Sequence, residues 1–359
     1  MTKTPRLSAS YLFTDWRHIR CGDLQWWSPG GSPLPLKDPP QPIVKAHATA
    51  PFMPRGIRLV TQPATKMDPT PGPAGQILYD GSVCRSWNLE FEYQDGHSVN
   101  GWSGEISKKI HVSYTESEDG FAWSQPRFSG LEMPGLTHFA SCHVFIDPAA
   151  IPSQRYKRVF CAHPPAGDKA AIIAEDIQSV PHPYRDIRLR NDKVKGPIVA
   201  CIYGAMSADG LSWQPMNDPL LVNFSDTDLN VYYDTTLSKY VLYTRLYHEE
   251  RRSVGRAESD DFHHWGPVVP VIRPNLHWEP TVDVYTSGRT EYPGLPQYHL
   301  MFPMIYHRLT QRTESSLYSS TDGIYFDQVP GDPVIMPGDN SSWDSEMCSV
   351  LRPLVPLGF

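Results

Sequence analysis

The chain has 359 residues, a net charge of −7 and 36 prolines, about twice the average proline usage. Proline breaks helix interiors and central strands alike, which argues against a helical bundle and against long buried strands. No Lys/Arg run reaches five residues, which leaves no signature of a nucleic-acid or anionic-membrane surface.

With 40% hydrophobic residues and 10 Trp, 18 Tyr and 13 Phe, the chain carries far more apolar surface than a disordered one. The opening MTKTPRLSASYLF has a basic flank but no apolar core after it, so no signal peptide is expected and a cytoplasmic place is the default. No stretch approaches the roughly 18 apolar residues of a membrane helix. Six scattered cysteines without a C-x-x-C pair read as structural thiols rather than a metal or redox site.

From the N-terminus, Tyr11–Ile19, Leu24–Trp27 and Ile57–Thr61 read as strands around a proline-rich connection at 28–56. Four units follow, at 78–124, 131–216, 222–267 and 275–328, each reading as a set of short strands rich in β-branched and aromatic residues. In the third unit the strands are Leu229–Tyr233, Tyr240–Leu246 and Ser253–Glu258, with Trp265 in the fourth. In the last they are Val282–Ser287, Tyr298–Tyr306, Ser315–Ser319 and Tyr325–Phe326. The second unit carries a polar, charged insert at 164–196, a candidate lid or partner surface. After 328, SWDSEMCSVLRPL reads as one more inner strand.

A repeated phrase marks the end of each unit. Ser117-x-Asp119-Gly120-x-x-Trp123 recurs as Ser207-x-Asp209-Gly210-x-x-Trp213, as Ser259-x-Asp261-Phe262-x-x-Trp265 and as Ser320-x-Asp322-Gly323-x-x-Phe326. Asp-Gly makes a tight turn, because glycine accepts positive φ and the carboxylate bonds nearby N–H groups. The aromatic then returns to pack between sheets. Four-stranded units at such periods are the mark of a β-propeller. The expectation is an all-β, single-domain, five-bladed propeller over 1–359 with four-stranded antiparallel blades, its ring closed by strands from both termini.

In a propeller the first strand of each blade lines the axis, and it follows the previous blade's aromatic after a crossing loop. Counting from each aromatic, His138 and His143 fall in the second blade, Asp226 and Asp228 in the third, Glu279 and Asp283 in the fourth, and Asp344 and Glu346 after it. Asp80 is expected just before the first strand of the first blade. Paired carboxylates across a wet pocket are what glycoside hydrolysis needs, one protonating the leaving oxygen and the other acting as nucleophile or base. Trp87, Trp102, Trp278 and Tyr285 are candidates to stack on sugar faces, and His277 and Arg289 to bond hydroxyls. Asp119, Asp209, Asp261 and Asp322 belong to the repeated turn, and Asp147, Asp234 and Asp332 also read as turn residues. No cofactor is called for. A structural calcium among axial carboxylates is the one metal weighed, without the dense oxygen-ligand spacing of a dedicated site.

The phrases VFIDPAAIPSQRYKRVF, SDTDLNVYYDTTLSKYVLYTR, RRSVGRAESDDFHHW, VDVYTSG and STDGIYF resemble those of five-bladed propellers similar to glycoside hydrolase families 32 and 43, over roughly residues 57–350. The resemblance implies an acid set of a blade-one Asp, a blade-two Asp and a later-blade Glu. Asp80 is the best match to the first, and Glu279 offers a general acid. Blade two presents histidines where the resemblance implies an Asp, and the family-32 phrases WMNDPNG, RDP and EC are absent. The expected function is a glycoside hydrolase cleaving a terminal sugar of an oligosaccharide. Asp80 or Asp226 would act as base or nucleophile and Glu279 or Asp283 as acid, with Asp344 in the same pocket and His138 or His143 assisting. The alternatives are a sugar-binding propeller without catalysis, an interaction scaffold using the 164–196 insert, and a phosphorylase with His143, Arg252 or Arg289 on phosphate.

Overall fold

The computed structural model describes residues 12–15, 17, 59–67, 72–73, 75–93, 106–130, 136–165, 167–168, 200–223, 225, 228–248, 251–292, 294–350 and 354, with the side chains of 90–93, 106–111 and 137–140 excepted. The elements formed by the described residues are strands, with a 3-10 turn at Pro152–Gln154.

The first blade is β1 (Gln76–Tyr79), β2 (Cys84–Tyr93), β3 (Ile106–Ser117) and β4 (Arg127–Phe128), paired in that order. The second is β5 (Thr137–Ile146), β6 (Tyr156–His163), β7 (Cys201–Ser207) and β8 (Gln214–Pro215), with β9 (Leu221–Val222) also on β7. The third is β10 (Asn230–Asp234), β11 (Lys239–His248), β12 (Arg251–Ser259) and β13 (Val269–Ile272). Every pairing is antiparallel.

The fourth blade is split across its middle. Its inner strand is β14 (Val282–Val284) and β15 (Arg289–Tyr292), its second β16 (Leu295–Met301) and β17 (Met304–His307), its third β18 (Arg312–Ser315) and β19 (Tyr318–Ser320), and its outer strand β20 (Asp327–Gln328). β14 pairs with β17 and β18, while β15 pairs with β16, β19 and β20 in turn. The break falls where Gly288 takes φ +52 against the Phe302 backbone, so close that a Cβ would lie 2.3 Å from the Phe302 carbonyl oxygen. Only glycine tolerates that approach.

One apolar core lies at each boundary between blades. Trp87, Val112 and Tyr114 of the first meet Val144, Tyr156 and Trp213 of the second. Phe145, Val159 and Ile202 meet Val231, Leu242 and Phe262 of the third. Tyr232, Val241 and Tyr243 meet Val284, Met301, Ile305 and Phe326 of the fourth. Successive sheets packed face to face around an axis make an all-β propeller.

The repeated phrase builds the same turn four times. The serine hydroxyl accepts from the N–H three residues on, and the aspartate Oδ1 accepts from the N–H groups two and three residues after itself. Positive φ falls at Gly120, Gly210, Phe262 and Gly323. Phe262 accepts φ 71 without being glycine, and its ring is 1% exposed in the core between blades two and three. The outer strands begin just after these aromatics, because the aromatics belong to the turns: β13 starts at Val269 after Trp265, and β20 at Asp327 after Phe326.

The expected terminal strands fare differently. Leu24–Trp27 and most of the 164–196 insert lie outside the described residues. Among the described residues of 11–19, 57–61 and 342–350 no strand forms. These stretches instead lean on the last blade through scattered hydrogen bonds. Leu12 N–H donates to the Tyr298 hydroxyl (3.1 Å), Thr61 N–H to the Pro330 carbonyl (2.8 Å) and Thr313 N–H to the Glu346 carbonyl (3.1 Å). Cys84, Cys142, Cys161, Cys201 and Cys348 form no disulfide.

Candidate functional site at the propeller axis

A cavity of about 440 Å³ opens at the axis, walled by β1, β5, β10 and β15. Tyr79, Pro148, Asp234, Thr236 and Pro296 line it, so it sits at the end where inner strands turn back. Of the described acids counted from the aromatics, Asp228 and Glu279 precede the inner strands β10 and β14, and Asp283 lies on β14. Of the residues named from sequence, His143 and Arg289 line the cavity. Glu291, Asn230 and Asp234 line it as well and were not singled out for it.

The chain brings His143 there through a local distortion. Ser141 takes φ 53 beside register shifts between Thr137 and Ala140 and between Ala140 and Cys142. Its hydroxyl donates to the Ser225 carbonyl at 2.8 Å, which offsets the cost of the left-handed backbone. Five residues past His138, His143 Nδ1 accepts the Val231 N–H at 2.7 Å. A ring accepting at Nδ1 is neutral and carries its proton on Nε2.

Arg289 is 8% exposed. Its guanidinium lies 3.4 Å above the centre of the Tyr232 ring, and Nη2 donates to Glu291 Oε1 at 2.9 Å. Burial works against the charge, and Tyr232 and Glu291 more than offset it, raising the group above its ordinary value. The Glu291 side chain keeps 45% of its surface exposed.

A girdle of side-chain-to-backbone bonds ties neighbouring inner strands together. Gln76 exchanges two bonds with the Val144 main chain, donating at 2.7 Å and accepting at 2.8 Å. His143 binds Val231. Asp228 Oδ2 accepts from Ser287 N–H (2.8 Å), Ser287 hydroxyl (2.6 Å) and Gly288 N–H (3.3 Å). Thr290 Oγ1 accepts the Leu354 N–H at 2.8 Å. Unpaired edges of inner strands leave N–H and C=O groups facing the axis, and each must find a partner. Gln76, His143 and Asp228 supply one from the adjoining blade, and Thr290 supplies one to the N–H of residue 354.

The remaining candidates scatter. Asp80 closes the β1–β2 turn, with Oδ1 accepting from Ser82 and Val83 and Oδ2 from Arg85 at 2.7 Å. Burial pushes its pKa up, but these donors outweigh it and hold it at about 2. That is a turn-former's environment. Asp344 is held by Lys66 and Ser342. Lys66 and Ser342 together lower its pKa. Glu279 is exposed in the turn before β14, where its carbonyl accepts the Val282 N–H at 2.9 Å. Asp283 is fully buried on β14, bonded to Arg252 Nη1 at 2.8 Å and 3.4 Å from Arg308 Nε. Asp226, Trp102 and the side chain of His138 lie outside the described residues.

Trp87 is 2% exposed in the core between the first two blades. Its Nε1–H donates to the Gly210 carbonyl at 2.7 Å. Burial on that scale leaves no face for a sugar, so its role is packing. Trp278 is half-buried against the core between blades three and four, and His277 is exposed beside it. Tyr285 is half-buried and stands edge-on to Tyr306, with ring centres 5.2 Å apart. Among the described residues no three His, Cys, Asp or Glu side chains gather to hold a metal ion. No described helix is long and apolar enough to cross a membrane.

No family model matches the sequence, and a search of curated proteins finds no significant match. Solved structures are similar in fold. One described as a BT0996 complex with RGII is 12% identical, covers 77% of this protein and 78% of its own length, and has a TM-score of 0.50. A thermostable family-43 glycoside hydrolase is 14% identical over 76% of this protein and 78% of its own length, at 0.49. The Bombyx mori family-32 β-fructofuranosidase is 11% identical over 71% and 47%, at 0.45.

Proposed function

We propose that the protein is a carbohydrate-active propeller, a glycoside hydrolase that cleaves a terminal sugar at its axis. The observation that supports this best is the axial cavity. At about 440 Å³ it lies in the range of small-molecule sites. Separate inner strands bring His143, Asn230, Arg289 and Glu291 to it, with Tyr79 as aromatic wall and Tyr232 beneath Arg289. A sugar asks for that mixture of apolar ring faces and fixed hydroxyl partners.

Glu291 has the most accessible carboxylate of the cavity lining and is the first choice for acid or base, with Arg289 as its positioning partner. Asp226 keeps the place the sequence gives it, four residues before β10, as the second carboxylate. Asp283, already engaged by two guanidiniums, is a weaker choice. The separation of the working pair would set retention or inversion.

One observation favours a second reading, sugar binding without hydrolysis. Asp80, Asp283 and Asp344 are each engaged by a cation. The test is hydrolysis of aryl glycosides and oligosaccharides by the full chain, with binding followed calorimetrically. Turnover that falls at least about 100-fold in Glu291→Gln, the scale of one acid–base group, with binding retained, is the expected result. Binding without turnover selects the second reading. Neither binding nor turnover overturns both.

A further inference from the structure

The sequence-named residues that do not reach the cavity include Asp283 and Tyr285, and they meet at the other end of the same inner strand. Asp283 has no exposed side-chain surface. Its Oδ2 takes Arg252 Nη1 at 2.8 Å with Arg308 Nε at 3.4 Å, and its Oδ1 takes the Arg252 N–H at 3.2 Å. Two guanidiniums thus share one buried carboxylate, leaving a unit of positive charge. Both reach solvent, with 26% and 39% of their side chains exposed. Arg252 Nε has no hydrogen-bond partner among the described residues.

The surroundings are aromatic. The Arg252 guanidinium lies 5.0 Å from the centre of the Tyr285 ring and 6.0 Å from those of Tyr247 and Tyr306. Arg245 stacks on Tyr285 from 4.4 Å and donates to its carbonyl at 3.1 Å. A second anchor to main chain fixes Arg308, which donates to the Thr281 carbonyl at 3.3 Å and the Pro280 carbonyl at 2.5 Å. The guanidiniums are therefore held before any ligand arrives, so little side-chain entropy remains to be lost on binding.

We propose that this rim, between blades three and four, binds the anionic group of an acidic saccharide, a carboxylate or sulfate ester, through Arg252 and Arg308 with a sugar ring against Tyr285. The proposal rests on the carbohydrate reading above and names its substrate class. Guanidinium donors match the oxyanion, and ring faces match the pyranose. The whole chain is acidic, at −7, so the rim is a local island. It suits one charged group on a short glycan and not an extended polyanion.

The test is calorimetric titration of the full chain with a uronic-acid trisaccharide, a sulfated disaccharide, their neutral counterparts, and inorganic sulfate and phosphate. At least one acidic sugar is expected to bind 10-fold or more tighter than its neutral counterpart, and more weakly as salt rises. Arg308→Gln should abolish the preference, Arg308→Lys should keep part of it, and Lys239→Gln on the third blade should leave it unchanged. Arg252→Gln is the second variant, with thermal unfolding to show that it is folded. Neutral and acidic sugars binding alike would overturn the proposal and leave the carbohydrate reading standing. Inorganic anions that bind in an Arg308-dependent way while no sugar does would overturn the carbohydrate reading and with it the acidic saccharide. No binding of any probe would overturn both.

Discussion

The repeated turns and the axial girdle hold the same ring by opposite means. Each turn is written in seven consecutive residues and comes out the same four times, with serine, aspartate and a positive-φ residue in fixed relation. Each girdle bond joins residues far apart in the chain and is made by a different side chain: Gln76, His143, Asp228 and Thr290. Local chemistry can be copied from blade to blade, whereas a contact between blades must fit the neighbour it meets. Variation therefore concentrates at the axis, which is also where the cavity lies.

Substitutions can break this comparison, and the largest effect belongs where a turn meets an interblade core. Trp87 fills the first interblade core and bonds the Gly210 carbonyl inside the second turn. Trp87→Ala should lower the unfolding free energy by about 3–5 kcal/mol in urea titration. A loss under about 1 kcal/mol would show that turn and core are uncoupled. Next comes Asp228→Ala, which strands Ser287 and Gly288 N–H groups between blades three and four. It should cost about 2–4 kcal/mol. If the cost matches that of a turn residue, the girdle is no more than another local bond.

Asp209→Ala removes a carboxylate that accepts two N–H bonds at 2.8 Å in a half-open turn. It should cost about 1–2 kcal/mol, and the same change at the more exposed Asp119 should cost less. Equal losses at both would mean that burial of the turn adds nothing. The smallest effect is on pH. In the turns at Asp119, Asp209 and Asp322 the carboxyl pKa is lowered: backbone N–H bonds lead at the first two, and at Asp322 they outweigh the burial that opposes them. Asp80 is lowered from 3.8 to about 2. Groups whose folded pKa lies below the unfolded one stabilise fully above about pH 4 and lose that contribution as pH falls through the folded value. Urea midpoints should drop from about pH 4 toward about pH 2, and a flat profile there would remove the carboxylates from the account.

The same contrast explains what the sequence showed. The turns were legible because one short phrase carries the whole structure, and the strands between them because alternation and turn residues bound them. The outer strands start later than read, since Trp265 and Phe326 close turns and do not begin strands. The axis was only partly legible. His143 and Arg289 were found, but Asp80 was read as standing before the first strand, when it follows β1 and Ser82, Val83 and Arg85 make it a turn carboxylate. Trp87 was read for its chemistry when burial decides its role. Glu291 gave no signal of its own. Its place in the cavity comes from lying two residues past Arg289 on the same inner strand, and inner-strand alternation was the clue that could have shown it.

The contacts at the seam carry a consequence for how the protein reaches its fold. Leu12 meets Tyr298 and Thr14 meets Ser319 across 286 and 305 positions, while each blade is made mostly of adjacent hairpins. Closing so long a loop costs little more than closing one half its length, about 0.6 kcal/mol per doubling. It is nevertheless slow, because distant segments must find each other after local ones have formed. The blades are expected to assemble first and the seam last. By the same ordering, the seam is where the ring should first part.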